Sequence, residues 1–360
     1  MRILILANND VGLYKFRKEL IEELIGKGNE VYISLPEGEF VNLLQNIGCF
    51  YINTLVDRRG INPKTDFGLF RQYKKIIKKY EPDLIITYTI KPNIYGGLSA
   101  RITQKQYAVN ITGLGTAFER KGLIRCLVIL LYKLALKRVK VVFVENQEIG
   151  KIVDKYRLCD KNKIVILNGA GVNTSDYPYQ EYPHNDIIYF LFIGRVMKEK
   201  GIDELLAATK KIVDDGDLCR LDIVGPLEEN YKSVLEKYEK EGWLSYNGFQ
   251  EDVRPFIKNC DCFVLPSYHE GMANTNLECA SSGRPLITSN IPGCKEAVIE
   301  GVSGYLCEPQ DVDSLYIEMK KMISSDCRAE MGVSGRNHML DKFSKESVVE
   351  KTIERLFYES

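Results

Sequence analysis

Short apolar runs alternate with stretches of helical spacing along most of this chain. In the first half, residues 2–7, 30–35, 84–88, 141–145 and 164–167 are rich in Ile, Val and Leu and bounded by polar or turn-forming residues, the pattern of buried strands. Residues 15–27 carry apolar side chains three and four positions apart, which predicts a helix. Strands separated by helices imply a parallel sheet with right-handed crossovers. Between 168 and 185 the pattern lapses into NGAGVNTSDYPYQEYPHN, a polar, turn-rich segment that is the best linker candidate. It then resumes, with strands at 188–193, 219–224, 262–265 and 285–288, helices at 202–214, 231–241 and 274–281, and a short element at 252–258. Residues 344–358 read as a final helix. The expected organisation is therefore two α/β domains, 1–168 and 169–343, followed by a terminal helix at 344–360. A length of 360 residues agrees with two domains.

Composition, with 45% apolar and 27% charged residues, places the chain among ordinary globular proteins. No apolar run approaches the ~20 residues of a membrane span. The opening MRILILANND turns polar too soon for a secretory leader, which leaves a cytoplasmic setting as the expectation. Ten cysteines without a C-x-x-C pair, and only three histidines, argue for reduced thiols and against a Cys/His metal cluster. The net charge of zero conceals a split. Residues 1–168 hold 28 Lys+Arg against 16 Asp+Glu, a balance of +12, and the remainder holds 21 against 33, a balance of −12. The basic residues are spread over several helices without a nucleic-acid signature, so nucleic acid is not the expected partner. An anionic membrane surface or a lipid-diphosphate ligand fits the basic half better. A G-x-G-x-x-G fingerprint is missing after both first strands, which speaks against a dinucleotide enzyme.

The richest chemistry lies in PSYHEGMANTNLECASSGRPLI, residues 266–287. The apolar run 262–265, closed by Pro266 and Ser267, predicts a short buried strand, and 274–281 predicts a helix ended by Gly283 and Pro285. The intervening loop puts Glu270 on the C-terminal edge of a parallel sheet, where such folds bind ligands. The helix start offers free amides and a positive dipole end to a phosphate. Glu278, further in, could reach a ribose or sugar diol. A carboxylate for sugar hydroxyls, amides for a phosphate and a second carboxylate for a ribose together describe a nucleotide-sugar site.

Glu-x7-Glu within S-x-x-E-G-x6-E, followed by Gly283-Arg284-Pro285 and by the E-x-V-x-x-G-x-x-G of residues 296–304, resembles the donor domain of retaining glycosyltransferases of family 4. The resemblance implies the GT-B fold, an α/β architecture of two Rossmann-like parallel-sheet domains facing across a cleft. Its N-terminal domain would bind the acceptor and its C-terminal domain the donor, and the final helix would return to the N-domain. It also implies transfer from a nucleotide sugar, UDP by default, to an acceptor hydroxyl, without metal or other cofactor. Arg195 and Lys200, in the glycine-bracketed GRVMKEKG after strand 188–193, would hold the donor diphosphate and stabilise the leaving group. Glu270 and Gly271, with Met272, Ala273 and Asn274, would hold the sugar. Thr275 and Asn276 would offer amides to the diphosphate, and Glu278 would hold the ribose. Gly194, Gly225 and Phe249 would flank the same pocket, with the segment around Phe249 beside the nucleobase. Gly12 would let the N-domain backbone approach the donor phosphates, although an ordinary turn explains it nearly as well.

Acceptor-side candidates follow other strand ends: Lys15, Arg17, Tyr88, Lys91, Asn93 and Gly113, with a solvated helix face as the plainer reading of Lys15 and Arg17. Many members of the family keep a histidine near 88–93. This chain has none in 1–168, so a proton relay from that domain is not expected. The segments TYTIKPNIYGG and NITGLGTAFER resemble bacterial enzymes that build capsule or O-antigen glycans on a polyprenyl-diphosphate carrier. The sequence GLIRCLVILLYKLALKRVK, residues 122–140, reads as a basic amphipathic helix. It would either lie on the cytoplasmic face of a membrane or turn its leucines to the core and its cations to water. Two rival functions stay open: a nucleotide-sugar 2-epimerase on the same fold, and a non-catalytic subunit that binds a nucleotide sugar.

Overall fold

A computed structural model describes residues 1–57, 62–113 and 122–358. The chain divides into two compact units, Met1–Ala170 with Val348–Ser360, and Gly171–Ser347.

The first unit is built on a seven-stranded sheet of β1 (Arg2–Leu6), β2 (Glu30–Leu35), β3 (Phe50–Asn53), β4 (Leu84–Tyr88), β5 (Gln106–Ile111), β6 (Val141–Val144) and β7 (Ile164–Ile166). Its order is β3-β2-β1-β4-β5-β6-β7, and every neighbouring pair is parallel. The central strands are apolar on both faces because helices cover both. Ile3 and Ile5 join Ile33 and Ile86 in one buried layer, while Leu4 and Leu6 join Ile85 and Val109 in the other. The last helix, Lys345–Phe357, adds Val348, Ile353 and Leu356 to the first layer. It is fastened by Lys140 Nζ to the Leu356 carbonyl at 2.8 Å and by Lys351 Nζ to the Ile166 carbonyl at 2.9 Å.

The second unit contains β8 (Ile188–Ile193), β9 (Cys219–Val224), β10 (Leu244–Tyr246), β11 (Cys262–Leu265), β12 (Leu286–Ser289) and β13 (Gly304–Cys307). They form an all-parallel sheet of order β10-β9-β8-β11-β12-β13. In both sheets the strand order reverses beside the first strand, between β1 and β4 and between β8 and β11. Loops leaving the C-terminal ends of the two strands at such a switch diverge, which opens a crevice for a ligand.

Strands β3, β5, β10 and β13 are elements that the apolar pattern alone does not set apart. β3 is a half-exposed edge strand, β5 opens on Gln106 and carries the buried polar Asn110, β10 is three residues long, and β13 begins with a glycine. The segment after Ala170 also differs from a free linker, since its residues belong to the second unit. Arg284, wholly buried, donates to the carbonyls of Glu181 at 2.8 Å and Gln180 at 3.3 Å, and to those of Ile257 at 2.8 Å and Lys258 at 3.0 Å. Arg336 donates to the Tyr177 and Ser281 carbonyls, both at 2.8 Å. The Asp261 carboxylate receives the Tyr189 amide and Asn185 Nδ2, both at 2.9 Å. An irregular segment cannot satisfy its own carbonyls, and the planar guanidinium fork supplies donors to several at once.

Replacing Arg284 by Met should leave those carbonyls without donors and cost at least about 3 kcal/mol, since each orphaned buried acceptor costs roughly 1–3 kcal/mol. Trp243, the one tryptophan in the chain, is buried in this unit's core, so its fluorescence in urea follows that unit's unfolding. A loss below about 1 kcal/mol would show that the segment is held some other way.

Candidate functional site

β11 is buried on both faces, so its polar consequences appear only where it ends, at Pro266 and Ser267. There the loop meets the one that leaves β8 at the switch point. The Tyr268 amide donates to the Glu199 carbonyl at 2.9 Å. Gly201 lies against Pro266 in a left-handed conformation, φ +73°, and a Cβ there would fall 2.1 Å from the Pro266 carbonyl oxygen. Two side chains follow from this lacing. Lys200 Nζ donates to Glu270 Oε1, which also accepts the Ser267 hydroxyl at 2.8 Å. Both members of the ion pair are largely covered, at 18% and 13% side-chain exposure, so the pairing is shielded from solvent screening. Tyr268 is anchored from behind, its hydroxyl donating to both carboxylate oxygens of the buried Glu204 at 2.8 and 2.9 Å. Burial and that carboxylate push the Tyr268 phenol up.

The helix Asn274–Ser281 starts without a side-chain cap. The Asn276 amide turns back to the Ala273 carbonyl at 3.0 Å, so the amides with no acceptor among the described residues are those of Asn274 and Thr275. Of the expected pair, Thr275 and Asn276, the Asn276 amide is thus engaged within the first turn. Asn276 serves the scaffold instead: its Nδ2 donates at 3.0 Å to Thr288 Oγ1, which donates to the Leu265 carbonyl at 2.9 Å. Asn274 Oδ1 is buried without a hydrogen-bond partner in the structure. Met272 and Ala273 contribute side chains to the core, and the Ala273 amide is held by the Gly293 carbonyl at 2.8 Å. Gly271 and Glu278 are half-buried, and Glu278 lies close enough to Tyr177 to add to the upward push that burial gives its phenol.

The ends of β8, β9 and β10 complete this sheet edge. Gly225, φ +144°, is packed so tightly that a Cβ would sit 1.8 Å from the Gly194 carbonyl oxygen, and its amide donates to the Gly248 carbonyl at 2.7 Å. Phe249 follows and is 63% exposed. Arg195 is exposed and has no ion-pair or hydrogen-bond partner among the described residues. Arg195, Lys200, Glu270 and the Asn274 and Thr275 amides therefore all stand on loops or a first turn at the carboxyl ends of strands of one sheet, with Glu278 one turn further into the helix. Cys294 is buried, and burial followed by the nearby Glu270 carboxylate pushes its thiol up. No group of His, Cys, Asp and Glu among the described residues is arranged to hold a metal ion.

The residues singled out in the first unit fare differently. The first helix begins at Asp10 rather than near 15, because Asn9 caps it by accepting the Gly12 amide at 2.6 Å. That amide is therefore occupied, and Gly12 is part of a first turn. Arg17 is not on a solvated face: it is buried, 2.8 Å from Glu145 Oε1 and with its guanidinium 5.2 Å from the centroid of the Tyr88 ring. Lys91 is 2.7 Å from Asp66 Oδ1, and Tyr95 donates to Asp66 Oδ2 at 3.0 Å. Asn93 ties two strands, accepting from Thr87 at 2.7 Å and donating to the Asn110 carbonyl at 2.8 Å. Tyr88 is buried, and burial raises its phenol. Lys15 remains exposed, 5.7 Å from the Phe40 ring centroid, and Gly113 is half-buried. The rest of NITGLGTAFER and Lys121 lie outside the described residues.

Four features escape a sequence reading. Ser267 had a local signal, a hydroxyl three residues before a carboxylate. Glu204, the Gly293–Ala273 brace and the left-handed Thr89 (φ +71°) at the end of β4 had none, because each depends on chain segments or backbone angles that spacing does not encode.

Comparison with known proteins agrees with this division. The Glycosyl transferase 4-like family model matches residues 2–146, and the Glycosyl transferases group 1 model matches residues 180–338. The N,N'-diacetylbacillosaminyl-diphospho-undecaprenol alpha-1,3-N-acetylgalactosaminyltransferase of Campylobacter jejuni is 25% identical over 343 residues, 91% of this chain and 90% of that one. The UDP-Gal:alpha-D-GlcNAc-diphosphoundecaprenol alpha-1,3-galactosyltransferase of Escherichia coli is 27% identical over 333 residues, 85% of this chain and 82% of that one. The crystal structure of a glycosyltransferase from Rickettsia africae matches at a TM-score of 0.81 with 18% identity, covering 99% of both chains. One family match falls on each parallel-sheet unit and the fold matches a solved structure over 99% of both chains, so this chain is a glycosyltransferase of the GT-B fold, with a Glycosyl transferase 4-like domain in its first unit and a Glycosyl transferases group 1 domain in its second.

Proposed function

We propose that this enzyme is a retaining glycosyltransferase that moves a sugar from a UDP-sugar to a hydroxyl of a polyprenyl-diphosphate-linked saccharide in bacterial surface-polysaccharide synthesis. The observation that carries the donor reading is the Lys200–Glu270–Ser267 cluster beside the uncapped start of the helix Asn274–Ser281. In this reading the donor diphosphate lies between Arg195, Lys200 and the amides of Asn274 and Thr275. All four favour the negative charge that grows on the leaving phosphate, and none needs to move a proton. Those charges stand in for a metal ion, so no cofactor is invoked. Glu270, oriented by Lys200 and Ser267, accepts from sugar hydroxyls, and Glu278 accepts from the ribose. With no histidine in residues 1–168, the acceptor's proton passes to a donor phosphate oxygen on the face from which the phosphate departs, which retains the anomeric configuration. The acceptor class is supported by the names of the relatives in Campylobacter jejuni and Escherichia coli and by the basic first half, which also suits a peripheral position at an anionic membrane.

A screen of UDP-, GDP- and ADP-sugars against membrane extract, read by mass spectrometry, tests the reading, with Glu278→Ala as the control. Transfer from one UDP-sugar, lost in the variant, is expected. An epimer formed from donor alone would move the assignment to the isomerase, and binding without any product would move it to a non-catalytic subunit.

Two variants separate the roles inside the cluster. Lys200→Ala should weaken nucleoside diphosphate binding and lower turnover by about 10²- to 10³-fold, the usual cost of one charge-stabilising donor. Glu270→Ala should lower turnover comparably yet leave UDP bound as tightly or more tightly, because Lys200 loses its competing carboxylate. Equal weakening of UDP by both would reject the division of labour, with calorimetry as the readout. Gly201→Ala should cost about 1–3 kcal/mol of stability and weaken donor binding, because the displaced loop carries Lys200. Unchanged donor affinity would break that link.

A further inference from the structure

Within the second unit, one residue makes two contacts that tie the loop after β11 to the loop and helix after β8. The Tyr268 amide donates to the Glu199 carbonyl at 2.9 Å, and the Tyr268 hydroxyl donates to the Glu204 carboxylate, 2.8 Å from Oε1 and 2.9 Å from Oε2. The two acceptors bracket Lys200 along the chain, and Tyr268 stands two residues before Glu270. Lysine and glutamate side chains are long and rich in rotamers, so an ion pair alone leaves open where its charges sit. A two-point hold on the backbone beside that pair removes the freedom. The turn Lys198–Lys200 is also tied to the loop after β9: the Lys198 amide donates to Glu229 Oε2 and the Tyr231 hydroxyl to Asp203 Oδ1, both at 2.8 Å.

Packing does not explain Glu204. It is buried on the first turn of the helix Ile202–Asp214, beside the core residues Leu205 and Leu206, and no cation pairs with it among the described residues. A carboxylate taken from water without a cation costs the fold more than one hydroxyl and a helix end offset. An apolar side chain would serve the core at least as well. What the carboxylate adds is direction: it fixes the ring of Tyr268, and with it the backbone that leads to Glu270.

We propose that Glu204 and Tyr268 are positioning residues of the transferase: their hydroxyl–carboxylate clasp, without touching the donor, fixes how Glu270 meets Lys200 and so how the sugar is placed. This rests on the reading of Lys200 and Glu270 as donor-site residues, and it adds the pair that aims them. The clasp acts on turnover rather than on nucleotide affinity. In that reading the diphosphate is also held by Arg195 and by the Asn274 and Thr275 amides, whereas the orientation of the sugar depends on Glu270.

The informative variant is Glu204→Met with Tyr268→Phe, which removes carboxylate and hydroxyl together and leaves neither group buried without a partner. Turnover is measured in the full-length protein with the panel of UDP-, GDP- and ADP-sugars and membrane extract, well below the thermal midpoint of every variant. It should fall about tenfold or more, with UDP affinity by calorimetry unchanged within about twofold. Wild-type turnover in this variant would overturn the proposal. Adding Glu270→Ala completes a double-mutant cycle: on that background the clasp variant should lower turnover by no more than about twofold, because residues that act through one another are not additive. Losses that multiply would show that the clasp does not work through Glu270 and would reject its positioning role. Hydrogen exchange supplies a readout that needs no substrate. The amides of residues 267–273 should exchange about tenfold faster or more in the clasp variant, and unchanged exchange would mean that the clasp does not hold the loop. If Glu270→Ala alone keeps wild-type turnover, the donor-site reading fails and this proposal with it. If Glu270→Ala is impaired while the clasp variant is not, only the proposal fails.

Discussion

The site depends on how closely two backbone segments approach at the point where the second sheet reverses its strand order. Gly201 is pressed on the Pro266 carbonyl with no room for a Cβ, and the Tyr268 amide is bonded to the Glu199 carbonyl. Only that approach lets Lys200, on one loop, reach Glu270, on the other. A charge pair of this kind gains little at an exposed surface and much more where water is displaced. Here both partners are mostly covered, and Ser267 supplies a further hydrogen bond to the same carboxylate oxygen. The two loops are therefore held together by an ion pair that is mostly shielded from water.

The two sheets share a topology and use their charges in different ways. In the first unit Arg17 and Lys91 are committed to Glu145 and Asp66, and Asn93 bridges neighbouring strands, so several polar residues at its strand ends are structural. In the second unit Arg195 is left uncommitted, and the Asn274 and Thr275 amides have no acceptor among the described residues. Net charge points the other way, since residues 1–168 carry +12 and the remainder −12. Anion recognition at short range follows local donors and helix ends rather than the charge of a whole domain. The charge of a whole domain is felt at longer range, where surfaces rather than single ligands are sensed.

Rigidity behind the site comes from groups that carry no chemistry. Arg284 and Arg336 gather the carbonyls of the segment after Ala170 and fix them to the second unit. Asn276 and Thr288 join the first turn of the site's helix to the ends of β11 and β12. Such supports fix the loops and the helix start of the candidate site, and precise placement of side chains depends on a rigid surround of this kind.

The sequence by itself determined the architecture, the alternation of strands and helices that builds two parallel sheets. Periodicities of two and 3.6 specify which face of each element is buried, and apolar runs closed by glycine or proline mark where strands end. Ile188–Ile193, Cys219–Val224 and Cys262–Leu265, with the helix Asn274–Ser281, stand where the pattern placed them. Weakly apolar strands such as β3 and β10 were not legible, because an edge position relaxes the pattern that would reveal them. What only the tertiary structure decided is which polar residue meets which. Arg17 and Arg195 look alike along the chain, yet one is buried on Glu145 and the other stands free of ion pairs among the described residues. The Asn276 amide, expected to be available, is engaged by a single hydrogen bond to Ala273. On the helix Leu123–Leu136, Leu127, Leu130 and Leu134 are exposed while Tyr132, Ala135 and Leu136 are buried in the core. Spacing encodes the direction of a side chain; its partner depends on segments far away in sequence, which is why folding alone settled those roles.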